Sequence, residues 1–197
     1  MGNSPSQFIM KGNFSSFQGL YYRFQKSEDI AYLFVILRRI LERFGGIGSM
    51  LRHFYNGDIR DVLWQVRNEL FGTDDRLTFF FPKPSSSNPM KRWNLYLRWM
   101  VRKDAIDAGL WDFIPKNTLV MPLDTHIFKI GKCFGWTKQK NPTWKAANEI
   151  TDALRVFSPE DPLQYDFFLC QKVGIEGGCT GVRTPAGKSK CLLLKNE

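Results

Sequence analysis

Apolar residues recur along most of the chain at intervals of three and four positions, which is the spacing that one face of an α-helix requires. Glycine pairs, prolines and polar caps interrupt this pattern at regular points. The pattern predicts helices over residues 27–44, 47–55, 58–71, 90–103, 125–134, 141–157 and 161–174. The apolar run 77–81 is too short and too isolated to build a sheet, so we expect it to pack on helices as a connection. The predicted fold class is therefore all-α.

Composition divides the chain of 197 residues into three parts. Residues 1–20 are rich in Gly, Ser, Asn and Gln, and we expect a poorly ordered start there. Residues 21–175 carry the helical pattern and predict one helical domain, with two small lobes as the alternative. The remainder, 176–197, is rich in Gly and Lys and predicts a mobile tail.

Composition also bears on the class of protein and its location. No stretch approaches the roughly 20 uninterrupted apolar residues of a membrane span, and the polar start lacks the order of a signal peptide. The four cysteines form no CxxC pair and are typical of reduced thiols. We therefore expect a cytoplasmic protein without a membrane partner.

The positive charge of the chain is concentrated in its middle. Of the 28 basic and 19 acidic residues that give a net charge of +9, residues 90–145 hold 11 basic and 4 acidic ones. Clustered positive charge favours a polyanion such as DNA or RNA as partner. The alternative is a soluble basic protein whose charges form a solvated face.

Two short segments of this basic region contain candidate chemistry. Asp124 lies between an apolar run and an amphipathic segment, a position typical of a helix N-cap. Upstream, Lys91, Arg98 and Arg102 recur at spacings of seven and four and share one stripe of a predicted helix. Trp93 and Trp99 lie on the same helix, at spacings more typical of core residues than of residues that stack on bases.

The segments Leu123-Asp124-Thr125-His126-Ile127-Phe128 and Lys91-Arg92-Trp93-Asn94-Leu95-Tyr96-Leu97 resemble the helix-hairpin-helix DNA glycosylases, especially the endonuclease III branch. The resemblance covers roughly residues 85–180. The whole chain is also similar to an uncharacterised bacterial domain-of-unknown-function family within or near that superfamily. Its pattern includes Arg98-Trp99-Met100-Val101-Arg102, Gly109-Leu110-Trp111 and Pro122-Leu123-Asp124-Thr125-His126.

The resemblance implies a helical glycosylase-like fold with a divergent helix-hairpin-helix and a role in DNA base excision repair. It implies that Lys91 attacks the sugar of a flipped, damaged base and forms an imine that permits strand cleavage, while Asp124 stabilises charge and moves protons. Asn94 and His126 would support these two residues. The residues expected to hold the DNA are Arg92, Arg98, Arg102, Lys129 and Lys132.

The chain departs from that family in three places. Ser87-Asn88-Pro89-Met90 occupies the position of a Gly-apolar-Gly hairpin whose backbone amides hold a phosphate. Asp124 follows Lys91 by 33 positions, a spacing that resembles the archaeal 8-oxoguanine glycosylases. Only Cys191 follows Cys179, so we predict that the C-terminal segment holds no iron–sulfur cluster and that the protein uses no cofactor or metal. The start is also short relative to the related family.

Two other functions stay open at this point. The divergent hairpin and short start favour a non-catalytic nucleic-acid-binding helical domain, whereas the Lys91 and Asp124 pair favours an enzyme, because binding requires neither residue. A helical protein-interaction domain with incidental charge is the third reading. The catalytic reading requires the side chains of Lys91 and Asp124 to approach each other across one cleft.

Overall fold

A computed structural model describes residues 4–181, except for the side chains of Ser15 and Ser16. The predicted mobile tail, apart from its first six residues, and Cys191 lie outside the described residues. The described part of the chain contains eight α-helices and no strand, which confirms the all-α prediction. They are α1 (Pro5–Lys11), α2 (Ser27–Phe44), α3 (Ile47–Phe54), α4 (Ile59–Phe71), α5 (Lys91–Val101), α6 (Thr125–Cys133), α7 (Trp144–Arg155) and α8 (Asp166–Phe168). The chain forms two compact units that divide between Lys83 and Pro84.

The first unit contains α1 to α4. Gly45 ends α2 with a φ of 77°, and the Asp58 carboxylate caps α4 by accepting the N–H groups of Arg60 and Asp61. The sequence analysis did not foresee α1. Four rings hold it in place, those of Phe8, Phe14, Phe17 and Phe34, whose neighbouring centroids lie 4.8 to 6.2 Å apart.

The apolar run 77–81 closes the first unit as a series of turns and forms no strand, in agreement with the prediction that it is a connection. Leu77 and Phe81 are buried. Arg67 of α4 is also buried, and its guanidinium donates to the Phe81 carbonyl oxygen at 2.7 Å and pairs with the Asp75 carboxylate. The charge of this buried arginine is therefore compensated, and its hydrogen bonds fix the turn.

The second unit packs α5 to α8 around an apolar core. Buried side chains come from the segment before α6, from α6 and α7, and from the helix that follows α8: Met121, Leu123, Ile127, Ile130, Ala147, Ile150 and Val173. Met121 N–H donates to Thr151 Oγ1 at 2.9 Å, which ties the segment before α6 to α7. Thr143 caps α7 by accepting the Ala146 N–H, so α7 begins later than the predicted residue 141.

The prediction of one continuous α-helix over 161–174 is wrong. The chain forms a 3₁₀-helix over Pro162–Tyr165, then α8, and then a π-helix over Leu169–Glu176. Phe167 and Phe168 are about half exposed, whereas Asp166 is buried. The change of helix type alters which residues point inward, and π-helical turns are frequent at functional sites. None of the helices in the described residues is long and apolar enough to span a membrane.

Candidate active site

The turn that precedes α5 determines the position of Lys91. Met90 adopts a left-handed conformation with a φ of 55°, which is rare for a residue with a bulky side chain. Asn88 Oδ1 accepts the Met90 N–H at 2.9 Å, and the Asn94 side-chain amide donates to the Pro89 carbonyl oxygen at 3.0 Å. These bonds lock the turn, so that Lys91 begins α5 in a defined direction. Asn94 therefore contacts the backbone of the turn that precedes Lys91.

Asp124 begins α6 as its N-cap. Its Oδ1 accepts the Ile127 N–H at 2.8 Å, as the sequence predicts for an aspartate at this junction. The preceding residues Leu119, Val120, Met121 and Leu123 are buried and fix the approach of the chain to the cap. The second carboxylate oxygen remains available for other partners.

Lys91 and Asp124 meet in one open cavity. Lys91 Nζ lies 3.9 Å from Asp124 Oδ2, with side chains 48% and 17% exposed respectively. The cavity measures about 350 Å³. Its lining residues are Lys91, Leu95, Arg98, Trp99, Ile106, Pro122, Asp124, Asp166, Phe167, Cys170 and Gln171. The geometric condition for the catalytic reading, an approach of the two side chains in one cleft, is met within this unit.

Cys170 of the π-helix is the third polar group at this pair. Its thiol donates to Asp124 Oδ2 at 3.4 Å. Burial raises the pKa of the Cys170 thiol to about 12, and the nearby Asp124 carboxylate adds to the rise. The thiol is therefore protonated at neutral pH and acts as a hydrogen-bond donor, whereas a reactive cysteine requires a lowered pKa.

A buried ion-pair network forms part of the cavity wall, through Arg98 and Asp166. Arg98 donates to both oxygens of Asp107 at 3.1 and 3.2 Å through Nε, and to Asp166 Oδ2 at 2.5 Å. Arg102 pairs with Asp107 and, at 2.8 Å, with Asp161. Burial raises the pKa of Asp166, with the Asp124 carboxylate adding to the rise and Arg98 opposing it.

This network includes two residues of the predicted DNA-binding face. Arg98 and Arg102 are only 4% and 6% exposed, and their guanidinium groups are occupied by aspartates. The expectation that these two residues contact nucleic acid stays a prediction, and it concerns side chains whose charge aspartates already neutralise. A count of charges along the sequence does not reveal this pairing of arginines with aspartates. The partners Asp107, Asp161 and Asp166 lie 5 to 68 positions away from the arginines.

The other predicted binding residues lie at the surface. Arg92 is exposed at the start of α5, and Lys129 and Lys132 are exposed on α6. Together with Thr125, the residue after Asp124, the two lysines form one stripe of α6 because they recur at helical spacing. Lys132 Nζ also donates to the Gln139 carbonyl oxygen at 3.2 Å.

His126 has a packing position next to the π-helix. A Cβ on Gly174 would lie 2.6 Å from His126 Cβ, so the absence of a side chain there permits the close approach of the π-helix to α6. The His126 Nδ1 atom is buried and has no hydrogen-bond partner within the described residues. His126 thus packs α6 against the helix that carries Cys170.

Sequence reasoning did not place Asp166, Phe167 and Cys170 among the cavity residues. Trp93 is buried, in keeping with its core spacing, whereas Trp99 is 45% exposed and lines the cavity together with the 47% exposed Phe167. The sequence did contain one signal for Asp166, since an acidic residue interrupts the apolar positions 163–173. Among residues 4–181, no three His, Cys, Asp or Glu side chains gather in a way that could hold a metal ion.

The fold and the cavity define an all-α protein with a lysine–carboxylate pair at the junction of two helix N-termini. The model of a family described as "Protein of unknown function (DUF2400)" matches residues 1–176, and the chain therefore belongs to this family. Searches of curated proteins and of solved structures give no match.

Proposed function

We propose that the protein is a DNA glycosylase with associated lyase activity, in which Lys91 is the nucleophile and Asp124 its electrostatic and proton-transfer partner. The observation that carries this proposal is the distance of 3.9 Å between Lys91 Nζ and Asp124 Oδ2 in an open cavity. A binding surface requires neither residue, whereas imine chemistry requires an amine and a group that can take its proton.

The proposed reaction begins when the neutral Lys91 amine attacks C1′ of the damaged nucleotide. The bond from C1′ to the base breaks, and the departing base takes the bonding electrons and the proton that Lys91 releases through Asp124. The bond from C1′ to the ring oxygen then breaks, and this oxygen takes the bonding electrons and a proton from water, which leaves a protonated imine. Hydroxide removes a proton from C2′, and the 3′ phosphate leaves with the electron pair of its bond to C3′. The Asp124 carboxylate accepts the proton that Lys91 releases and stabilises the positive charge that develops at C1′.

The cavity supports an extrahelical nucleotide as the substrate. A volume of about 350 Å³ falls in the range of small-ligand sites, which is roughly 300 to 1,000 Å³. Trp99 and Phe167 supply apolar walls beside the charged pair, and aromatic side chains are suited to stack on an unpaired base. The duplex around that nucleotide would contact the exposed Arg92, Lys129 and Lys132.

Borohydride trapping tests the proposal directly. The full chain is incubated with duplexes that carry 8-oxoguanine, thymine glycol or an abasic site, and reduction converts any imine into a stable protein–DNA bond. We expect a covalent band that is lost in Lys91→Ala and retained in Lys145→Ala, a matched change at an exposed lysine of α7. Equal bands in both variants would assign the imine to another amine and overturn the role of Lys91.

The second candidate is a nucleic-acid-binding domain without catalysis. The observation that favours it is the hydrogen bond of the Met90 N–H to Asn88, because that amide, in the turn where the related glycosylases grip a phosphate, is already satisfied within the chain. Salt-sensitive DNA binding without a trapped band on any substrate would support this candidate and contradict the enzyme.

A further inference from the structure

The two oxygens of the Asp124 carboxylate have different partners. Oδ1 accepts the Ile127 N–H at 2.8 Å within α6, which is the ordinary N-cap bond. Oδ2 lies on the cavity side, where it accepts the Cys170 thiol at 3.4 Å and faces Lys91 Nζ at 3.9 Å. The oxygen proposed to take part in chemistry is therefore the one that Cys170 holds.

The N-cap bond alone does not fix the orientation of the carboxylate. The torsion about the bond between Cβ and the carboxyl carbon is broad in aspartate, so a carboxylate held at one oxygen can still rotate. A second donor at Oδ2 restricts this rotation. A thiol is a weak hydrogen-bond donor, but its hydrogen bond is stronger when the accepting oxygen is charged. Cys170 thus supplies the second point of attachment that the cap lacks.

The π-helix brings the thiol to this point. It begins at Leu169, and the two residues Cys170 and Gln171 line the cavity together with Asp166 and Phe167 of α8. Close packing of Gly174 against His126 fixes the π-helix against α6, the helix that Asp124 caps. The contact between Cys170 and Asp124 is therefore set by the packing of two helices and not by a mobile loop.

We propose that Cys170 is a positioning residue, whose thiol orients Asp124 Oδ2 toward the amine of Lys91. This inference rests on the proposed glycosylase and lyase function for its effect on rate. It does not make Cys170 a nucleophile, since the thiol stays protonated at neutral pH and its proton points at a carboxylate. The group acts only through Asp124.

The kinetic experiment compares Cys170→Ala with Cys170→Ser on an abasic duplex. The alanine variant removes the donor, whereas the serine variant keeps one. We expect Cys170→Ala to slow single-turnover trapping by about 10-fold, the equivalent of one lost hydrogen bond to a charged group, with unchanged DNA affinity. Cys170→Ser should restore the wild-type rate to within about 3-fold, and Cys179→Ala, at another buried cysteine, should leave it unchanged.

A double-variant cycle separates positioning from general loss of structure. In an Asp124→Asn background the carboxylate is absent, so Cys170→Ala should cause no further loss of trapping rate. Equal rates in the wild type and Cys170→Ala, or equal losses from Cys170→Ala in both backgrounds, would overturn the positioning role.

The protonation of the thiol gives a readout that needs no activity. The rate of alkylation of Cys170 by iodoacetamide is followed from pH 8 upward in the folded protein, with peptide mapping to identify the modified residue. Since the Asp124 carboxylate contributes to the raised pKa of Cys170, Asp124→Asn should shift the pH midpoint of alkylation downward. An unchanged midpoint would refute the contact. Absence of trapping in every protein would reject the lyase function, and the alkylation midpoint would still decide the contact.

Discussion

At the scale of single residues, Asp124 has two roles that substitution can separate. It caps α6 through Oδ1 and presents Oδ2 to Lys91 and Cys170. Asparagine also caps helices well, so Asp124→Asn should keep stability within about 0.5 kcal/mol of the wild type while it removes the charge. Asp124→Ala removes the cap bond as well as the charge, and it should lower the free energy of unfolding by about 1 kcal/mol. Urea unfolding measures the two stabilities.

The same two variants should behave alike in catalysis. Loss of the carboxylate would remove both proposed roles, charge stabilisation and proton transfer, so we expect each variant to slow trapping by about 100-fold or more. Asp152→Asn is a suitable control, because this exposed carboxylate on α7 pairs only with Arg155 among the contacts that the structure gives it. A trapping rate in Asp124→Asn equal to that of the control would contradict the proposed role of the carboxylate.

The predictability of individual residues depended on how far away their partners lie. The cap role of Asp124 follows from the sequence because the N–H group it accepts is only three positions away. The burial of Arg98 does not follow, because its partner Asp166 is 68 positions distant and the pair forms only in the folded chain. The local spacing of residue types does not predict which charges pair over a long distance in sequence.

At the scale of helices, the contact between α6 and the π-helix controls the geometry of the cavity. Gly174→Ala would place a Cβ 2.6 Å from His126 Cβ and 3.1 Å from its Cγ, and neither atom is the free end of a flexible side chain. The two helices must separate, and we expect a loss of about 1 to 3 kcal/mol in the free energy of unfolding. Urea unfolding measures this loss.

A matched glycine provides the control for this prediction. Gly46 has open space around its Cβ position and an extended backbone, so Gly46→Ala should change stability little. Separation of the helices in Gly174→Ala should also lengthen the Cys170–Asp124 contact and make the thiol easier to alkylate. If Gly174→Ala matches Gly46→Ala in both stability and alkylation, the packing of these helices does not control the pair.

Helix positions were predictable to the extent that local signals mark them. The bounds of α2 agree with the sequence because polar residues open the helix and Gly45-Gly46 closes it. The structure over 161–176 could not be predicted from the spacing of its apolar residues. Asp166 is buried there because it pairs with Arg98, and the helix type changes after it. The helix α1 was missed because rings that are far apart in sequence, such as Phe8 and Phe34, hold it.

At the scale of the second unit, the buried ion-pair network joins α5 to α8 and to the loop between α5 and α6. Arg98→Met would leave Asp166 without its charged partner in a site where the side chain is only 5% exposed. Removal of one member of a buried pair costs about 3 to 5 kcal/mol. Thermal and urea unfolding should therefore show a large loss, whereas Lys172→Met, at an exposed pair with Glu176, should change stability by less than about 1 kcal/mol. Equal effects of the two substitutions would mean that the network contributes little.

At the scale of the whole molecule, the surplus of positive charge bears on the proposed binding to nucleic acid. Aspartates neutralise the charges of Arg98 and Arg102. The lysines of α6 are exposed to solvent, and they lie on the stripe that begins at Thr125, beside Asp124. Each phosphate contact releases condensed counterions, so each lysine that binds a phosphate contributes about 0.9 to the slope of log K against log salt for duplex DNA. Lys129→Ala and Lys132→Ala should each reduce affinity for duplexes of any sequence and lower that slope by about 1.

Lys172→Ala is the matched control, because the charge of that lysine is already balanced by Glu176 at 2.9 Å. Fluorescence anisotropy across a salt series measures all three slopes with the same duplex. Slopes in Lys129→Ala and Lys132→Ala that equal the slope of the control would remove the α6 stripe from the DNA interface. A wild-type slope near zero would show that binding involves no phosphate contacts, despite the net charge of +9. That result would favour a protein-interaction domain.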